Sequence, residues 1–208
     1  GSVLGEDRKM LRSRSGDSVK LSDLLSEAVE RGRVKVREKN PDLADDEVAD
    51  VGRMIGLGAV KYADLSTDRI RDYVFEWDRM LSFDGNTAPY LQYAYARIRS
   101  VFRRAGIEPA SVRGTAITID EPQERALVLR LLGFSTAVDS TVDTRSPHKL
   151  CAYLFDLAGD FTAFYEACPI LKAGAESQRD SRLALCDLTA RTLSRGLDLL
   201  GIEVPERM

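Results

Sequence analysis

Tyr90, Gln92, Tyr93, Arg97, Arg99, Arg103 and Arg104 fall in one short stretch just after the turn Asp84-Gly85-Asn86. Flat aromatic rings give unpaired bases a surface to stack on, and guanidiniums pair with phosphates. Together on one helix they suit a folded RNA. Spacing alone also permits a structural reading, in which Tyr90, Tyr93 and Tyr95 are half-buried residues supporting a helical bundle. Arg103 and Arg104 fit either general backbone contacts or surface charge. Of the later aromatic group Phe161, Phe164 and Tyr165, the first two read as core, and Tyr165 has a route to the RNA. The sole histidine, His148, opens a helix beside Lys149, where it serves as a polar surface or interhelix contact or meets a phosphate. No C-x-x-C pair, histidine cluster, nucleophile–base pair or complete phosphate loop accompanies these residues, so no metal site is expected.

The positioning elements are mostly helices. Residues 5–20 are polar, with Gly5 and Gly16, and read as loop. Leu21, Leu24, Leu25, Ala28 and Val29 recur at helical spacing, and the helix runs through the charged stretch Arg31 to Lys39 until Asn40-Pro41 stops it. Residues 42–65 form a second helical region with Val48, Val51, Ile55, Ala59 and Val60 inward. Gly52, Gly56 and Gly58 either weaken it by about 1 kcal/mol each or permit close approach of another helix. Tyr73 to Trp77 is rich in strand formers and is the one extended piece, apart from a short candidate at Ile117–Ile119.

After Gly85 the pattern is helical. Leu91, Ala94, Ile98, Val101, Phe102 and Ala105 make one stripe, ended by Gly106. Asp120 is expected to cap a helix with Pro122 in its first turn and Gly133 beyond its end, and residues 135–142 add a short helix. Ser146-Pro147 opens a long helix burying Leu150, Leu154, Leu157, Ala158, Phe161 and Cys168, and Pro169 stops it. In the last helix Leu183, Cys186, Ala190, Leu193, Leu197 and Leu200 make a bundle seam, closed by Gly201.

Composition limits the partners. A 44% hydrophobic content over 208 residues supports one good core, or one core and a smaller appended unit. The net charge of -3 gives no global attraction to nucleic acid, so RNA binding must rest on a local basic surface. No apolar run of about eighteen residues is present, and no charged leader with an apolar block is seen, so neither a membrane nor a secretory route is expected. Cys151, Cys168 and Cys186 are odd in number and widely spaced, which reads as buried thiols in a reducing cytoplasm. The start Gly1-Ser2, without Met, reads as an expression scar or a cut inside a longer chain.

Four segments in order carry a family resemblance. They are Gly5-Glu6-Asp7-Arg8-Lys9-Met10-Leu11-Arg12-Ser13-Arg14-Ser15-Gly16 with Asp17 to Leu21; Gly56-Leu57-Gly58-Ala59-Val60-Lys61-Tyr62-Ala63-Asp64-Leu65; Asp72 to Phe75 with Trp77 to Leu81, leading into Asn86 to Tyr93; and His148-Lys149-Leu150 with Phe161 to Tyr165 and the run Leu199-Leu200-Gly201-Ile202-Glu203-Val204-Pro205-Glu206-Arg207-Met208. Together they resemble the C-terminal portion of bacterial arginyl-tRNA synthetases, class I enzymes. That resemblance implies a mainly α fold. Residues 1–83 would be the end of the class I catalytic domain with a stem-contact segment, a small N-terminal appendage to an α-helical bundle. Residues 84–208 would be the helical, DALR-type anticodon-binding domain.

By the same resemblance the first segment corresponds to the KMSKS loop, which closes on the ATP triphosphate. Lys9, Arg12 and Arg14 would then neutralise charge as pyrophosphate departs, although the segment departs from the usual spelling and could equally be a solvated basic loop. The resemblance places Asn86, Tyr90, Gln92, Tyr93, Arg97, Arg99, His148, Lys149, Tyr165 and Met208 with the tRNA contacts. The family commonly carries His where this chain has Tyr95. The implied partners are tRNA(Arg) and the missing N-terminal and catalytic domains, with no DNA. ATP and Mg belong to the complete enzyme, and no cofactor is expected for this chain. With His148 its only histidine, it holds no HIGH signature, so binding without arginyl-adenylate formation is expected. The alternatives are a standalone truncated paralogue with a regulatory or specialised role and a helical protein-interaction module.

Overall fold

The computed structural model describes residues 1–10 and 20–208. Its fold is mainly α: helices α1 (Leu21–Lys39), α2 (Asp45–Leu65), α3 (Trp77–Met80), α4 (Ala88–Ala105), α5 (Pro122–Leu132), α6 (Phe134–Thr144), α7 (His148–Ala167) and α8 (Glu176–Leu199). Two short strands, β1 (Val3–Leu4) and β2 (Tyr73–Val74), pair in parallel, Val3 opposite Tyr73.

Two cores form. The larger gathers α4, α5, α7 and α8 around Leu91, Ile98, Phe102, Leu127, Leu154, Phe161, Leu183 and Leu193. The bundle seams expected on α7 and α8 are buried at every position named for them. The smaller core lies between α1 and α2, closed by Phe75, Met80 and Leu81. Here the glycines act through close approach. A Cβ on Gly32 would stand 2.2 Å from the Gly52 carbonyl oxygen, and one on Gly56 would stand 2.2 Å from that of Ala28. The two helices therefore meet backbone to backbone in an antiparallel hairpin. Leu21, outside that contact, is 68% exposed.

Helix α4, which carries the tyrosines, is fixed at both ends. The Thr87 hydroxyl accepts from the Tyr90 N–H (3.2 Å) and donates to the Ser82 carbonyl (2.6 Å), while Gly106 adopts φ 64° and closes the last turn.

Three expectations need correction. The cap of α5 is Glu121, not Asp120: Glu121 and Glu124 form a reciprocal capping box, and the Glu124 carboxylate also accepts from the Asp120 N–H. The extended piece ends early, because Trp77 opens α3 and turns its ring edge-on to Phe75 (4.7 Å between centroids). Its partner strand Val3–Leu4 is too short to show a period and lies just before the expected loop of residues 5–20. Ile117–Ile119 carries no strand; Thr118 is instead tied through its N–H and C=O to the Ser181 hydroxyl. The cysteines are buried and unbridged, and burial pushes the Cys151 thiol up to about 12. Among the described residues no helix is long and apolar enough to cross a membrane.

Candidate nucleic-acid interface

Helix α4 has three faces, because residues three or four apart align. Leu91, Ala94, Ile98 and Phe102 enter the larger core. Tyr90, Tyr93, Arg97 and Arg104 form a second stripe, half-buried or exposed. Gln92, Tyr95, Arg99 and Arg103 form a third, which lies under the segment 201–208.

The second stripe meets α7. Tyr90 packs on Phe155 (5.6 Å between centroids). Arg97 lies over the ring of Tyr165, its guanidinium carbon 3.9 Å from the ring centroid, and Arg104 donates to the Tyr165 hydroxyl at 2.9 Å. Burial pushes the Tyr165 phenol up, but the hydrogen bond and charge of Arg104, with Arg97 behind it, outweigh burial and bring it below the ordinary phenol value. The result is a ridge where aromatic rings and guanidiniums alternate, with Tyr93 half-buried between Tyr90 and Arg97.

The third stripe has internal partners. The Gln92 amide is fully buried and donates to the carbonyls of Met54 (3.1 Å) and Glu203 (2.8 Å). It ties α4 to α2 and to the segment 201–208 and presents no outward face, which corrects its assignment as an RNA contact. Arg99 donates to Glu206 at 2.6 Å, and the Tyr95 hydroxyl donates to the other oxygen of that carboxylate at 2.8 Å. Burial and the Glu206 contact raise the Tyr95 phenol to about 12. Arg103 donates to the Glu206 carbonyl, and Lys61 donates to that of Gly201. Glu206 was not among the sequence candidates. An acidic residue in a short segment gave no signal, because its partners lie more than a hundred positions earlier.

The remaining candidates are dispersed. Asn86 is exposed, and its Oδ1 accepts from the Tyr62 hydroxyl at 2.6 Å. It lines a cavity of about 650 Å³ with His148, Arg71 and Arg79, and there His148 stands 3.9 Å from Asp68. Lys149 turns away and bonds the Ser140 hydroxyl at 3.1 Å. Met208 packs against the smaller core. Lys9 is exposed, with its N–H on Asp7 at 3.1 Å; Arg12 and Arg14 lie outside the described residues. Among the described residues no group of three or more His, Cys, Asp or Glu could hold a metal ion.

Comparison with known proteins adds an independent line. The family model described as the DALR anticodon binding domain matches residues 91–208, and that described as the catalytic domain of class I tRNA synthetases (R) matches residues 1–77. The arginine–tRNA ligases of Cellvibrio japonicus and Thermobifida fusca are 54% and 57% identical to this chain over all of it, which is 36% of each of those proteins. The arginyl-tRNA synthetase structure from Thermus thermophilus superposes with a TM-score of 0.87 at 40% identity, over 100% of this chain and 34% of that one. The structure from Plasmodium falciparum gives 0.83 at 32% identity, over 91% and 34%. The chain thus spans about a third of the length of the relatives it matches.

Proposed function

Because this chain belongs to the arginyl-tRNA synthetase family, we propose that it is the tRNA(Arg)-binding part of an arginine–tRNA ligase and that it reads the anticodon. We place the reading function in residues 84–208, and we assign residues 1–83 to the end of the catalytic domain. The observation that carries this reading is the half-buried ridge of Tyr90, Tyr93, Arg97 and Tyr165, which packs on α7 by one side, while Gln92, Tyr95 and Arg99 on the neighbouring stripe are bound to internal partners. Splayed anticodon bases would stack on the tyrosines, at roughly 1–3 kcal/mol per base. Arg97, held over the ring of Tyr165, would meet the RNA as a positioned planar donor. His148, which lines one cavity with Arg71 and Arg79 and with Asp68 and Asp72, is a second place for the RNA backbone.

Ligation of arginine, with ATP and Mg, belongs to the longer protein. Of the nucleotide-contacting residues that the resemblance assigns, the described part holds only Lys9, an exposed cation suited to a phosphate. We therefore assign adenylate formation to the complete enzyme and expect none from this chain.

The test is titration of the chain with tRNA(Arg) and with the same tRNA altered in its anticodon, at two salt concentrations. Tighter binding of the native anticodon, weakening as salt rises, is the expected result. Equal binding of both RNAs would remove the anticodon-reading assignment.

A further inference from the structure

The last residue of α1 stands apart from the other cations of its helix. Arg31 pairs with Glu27, Arg33 with Glu30, Lys35 with Glu38, and Arg37 with Asp45. Lys39 has no carboxylate partner among the described residues. Its ammonium instead lies 4.9 Å from the centroid of Phe83 and 4.7 Å from that of Tyr93. The two rings meet edge to face at 6.3 Å. Cation–π contact holds an ammonium in place without neutralising its charge. The backbone beyond Lys39 is also fixed, because Arg37 donates to the carbonyls of Pro41 (3.1 Å) and Leu43 (2.7 Å). An exposed, oriented positive charge with no carboxylate partner among the described residues therefore touches the ring of Tyr93 in the α4 ridge.

We infer that Lys39 is a phosphate contact of the RNA site, held on Phe83 and Tyr93 so that one anionic group of the strand sits beside the base stacked on Tyr93. This rests on the proposed reading of the α4 ridge. The interface then crosses out of residues 91–208. Lys39 lies in the stretch matched by the catalytic-domain model, and Phe83 lies between the two matches. A nucleotide meets this corner with both its parts, the base on an aromatic face and the phosphate on the neighbouring ammonium. An uncharged aromatic ligand would use only the first.

The experiment compares the chain with its Lys39→Met and Lys39→Arg variants and with Tyr93→Ala, each titrated with tRNA(Arg) and with the anticodon-altered tRNA across a salt series. Methionine keeps an apolar stem over the two rings and removes only the charge, and circular dichroism checks the helical fold. The expected result for Lys39→Met is weaker binding of both RNAs and a slope of log affinity against log salt shallower by about 0.7–0.9, as for one lost phosphate contact. Lys39→Arg restores the slope. Weaker binding with the wild-type slope means that Lys39 only packs against Tyr93, and it overturns the inference. Unchanged binding overturns it as well. The anticodon reading is judged separately, by whether the wild-type chain prefers the native anticodon and whether Tyr93→Ala removes that preference. Absence of any RNA binding overturns both.

Discussion

Arg97 lies face-on against Tyr165, its guanidinium carbon 3.9 Å from the ring centroid, while Arg104 holds the hydroxyl of the same residue at 2.9 Å. Two arginines a helical stretch apart on α4 thus converge on one tyrosine of α7. The ring positions Arg97, so on the proposed reading replacing Tyr165 is expected to act on RNA through Arg97 as well as directly. Tyr165→Ala is expected to weaken tRNA(Arg) binding by roughly 0.5–2 kcal/mol from the lost cation–π contact. Tyr165→Phe, which keeps the ring, stays near wild type. Arg97→Lys keeps the charge but loses the stacked plane, and it falls between wild type and Arg97→Ala. Titration of each variant against the same RNA checks the order.

The same contact has a signature in pH. The folded Tyr165 phenol ionises below its ordinary value, whereas Tyr95, buried against Glu206, is raised to about 12. A depressed phenol stabilises the fold only above the unfolded phenol value, and that contribution is lost as pH falls through the folded value. At neutral pH it therefore adds nothing. Ultraviolet difference titration should show one early tyrosine ionisation, absent in Tyr165→Phe and delayed in a double Arg97→Ala, Arg104→Ala variant. An unchanged early step in Tyr165→Phe would assign that ionisation to another tyrosine.

The sequence made the ridge legible but not its limits. The repeat of apolar residues placed α4, α7 and α8, and glycine and proline gave most of their ends, because those signals are local. The division of α4 into a stripe that meets α7 and a stripe held under residues 201–208 was not legible. Gln92 and Arg99 are set apart from Tyr93 and Arg97 only by Glu203 and Glu206, more than a hundred residues away. Lys39 and Phe83 were hidden for the same reason. A lysine at the end of a charged helix looks solvated until the fold sets two rings beside it. Gly52 and Gly56 of α2 left two readings open, and only the position of α1 decides between them.

Gln92 is accordingly expected to matter for stability and not for anticodon choice. Its buried amide supplies the donor for the Glu203 carbonyl. Gln92→Leu keeps the volume and strands that acceptor, a cost of about 1–3 kcal/mol. Urea unfolding should register the loss, while the ratio of affinities for native and altered anticodons stays unchanged. A collapse of that ratio in a folded variant would return Gln92 to the reading surface.

Glu124 and Arg182 form the buried ion pair of the bundle, 2.7 Å apart with both side chains under 5% exposed. Burial alone would raise the Glu124 carboxyl. The hydrogen bond from Arg182 and the N–H groups of Asp120 and Glu121 outweigh it and hold the carboxyl below its ordinary value. A depressed carboxylate contributes stability that is present above the unfolded value and lost as pH falls through the folded one. Acidification below the ordinary carboxylate range should therefore weaken the fold. Glu124→Gln should flatten that part of the pH–stability curve and, by leaving Arg182 unpaired, cost about 3–5 kcal/mol at neutral pH. Chemical denaturation across a pH series measures both.

Gly56 and Gly159 offer chemically identical substitutions with opposite outcomes. Both are helical, and alanine is favoured over glycine in a helix by about 1 kcal/mol. At Gly159, on the exposed side of α7, an added Cβ meets nothing within 4 Å, so Gly159→Ala should stabilise by up to that amount. At Gly56 the same carbon would lie 2.2 Å from the Ala28 carbonyl oxygen and 2.5 Å from its carbon. Backbone cannot rotate aside as a side chain does, so α1 must move off α2. The strain of roughly 1–3 kcal/mol then exceeds the propensity gain. Because Lys39 sits at the end of α1, that movement also displaces its ammonium from Phe83 and Tyr93. Gly56→Ala should therefore lower both the unfolding midpoint and the affinity for RNA, and Gly159→Ala should raise the first and leave the second unchanged. A Gly56→Ala chain as stable as wild type would mean that the α1–α2 contact is looser than its backbone spacing indicates.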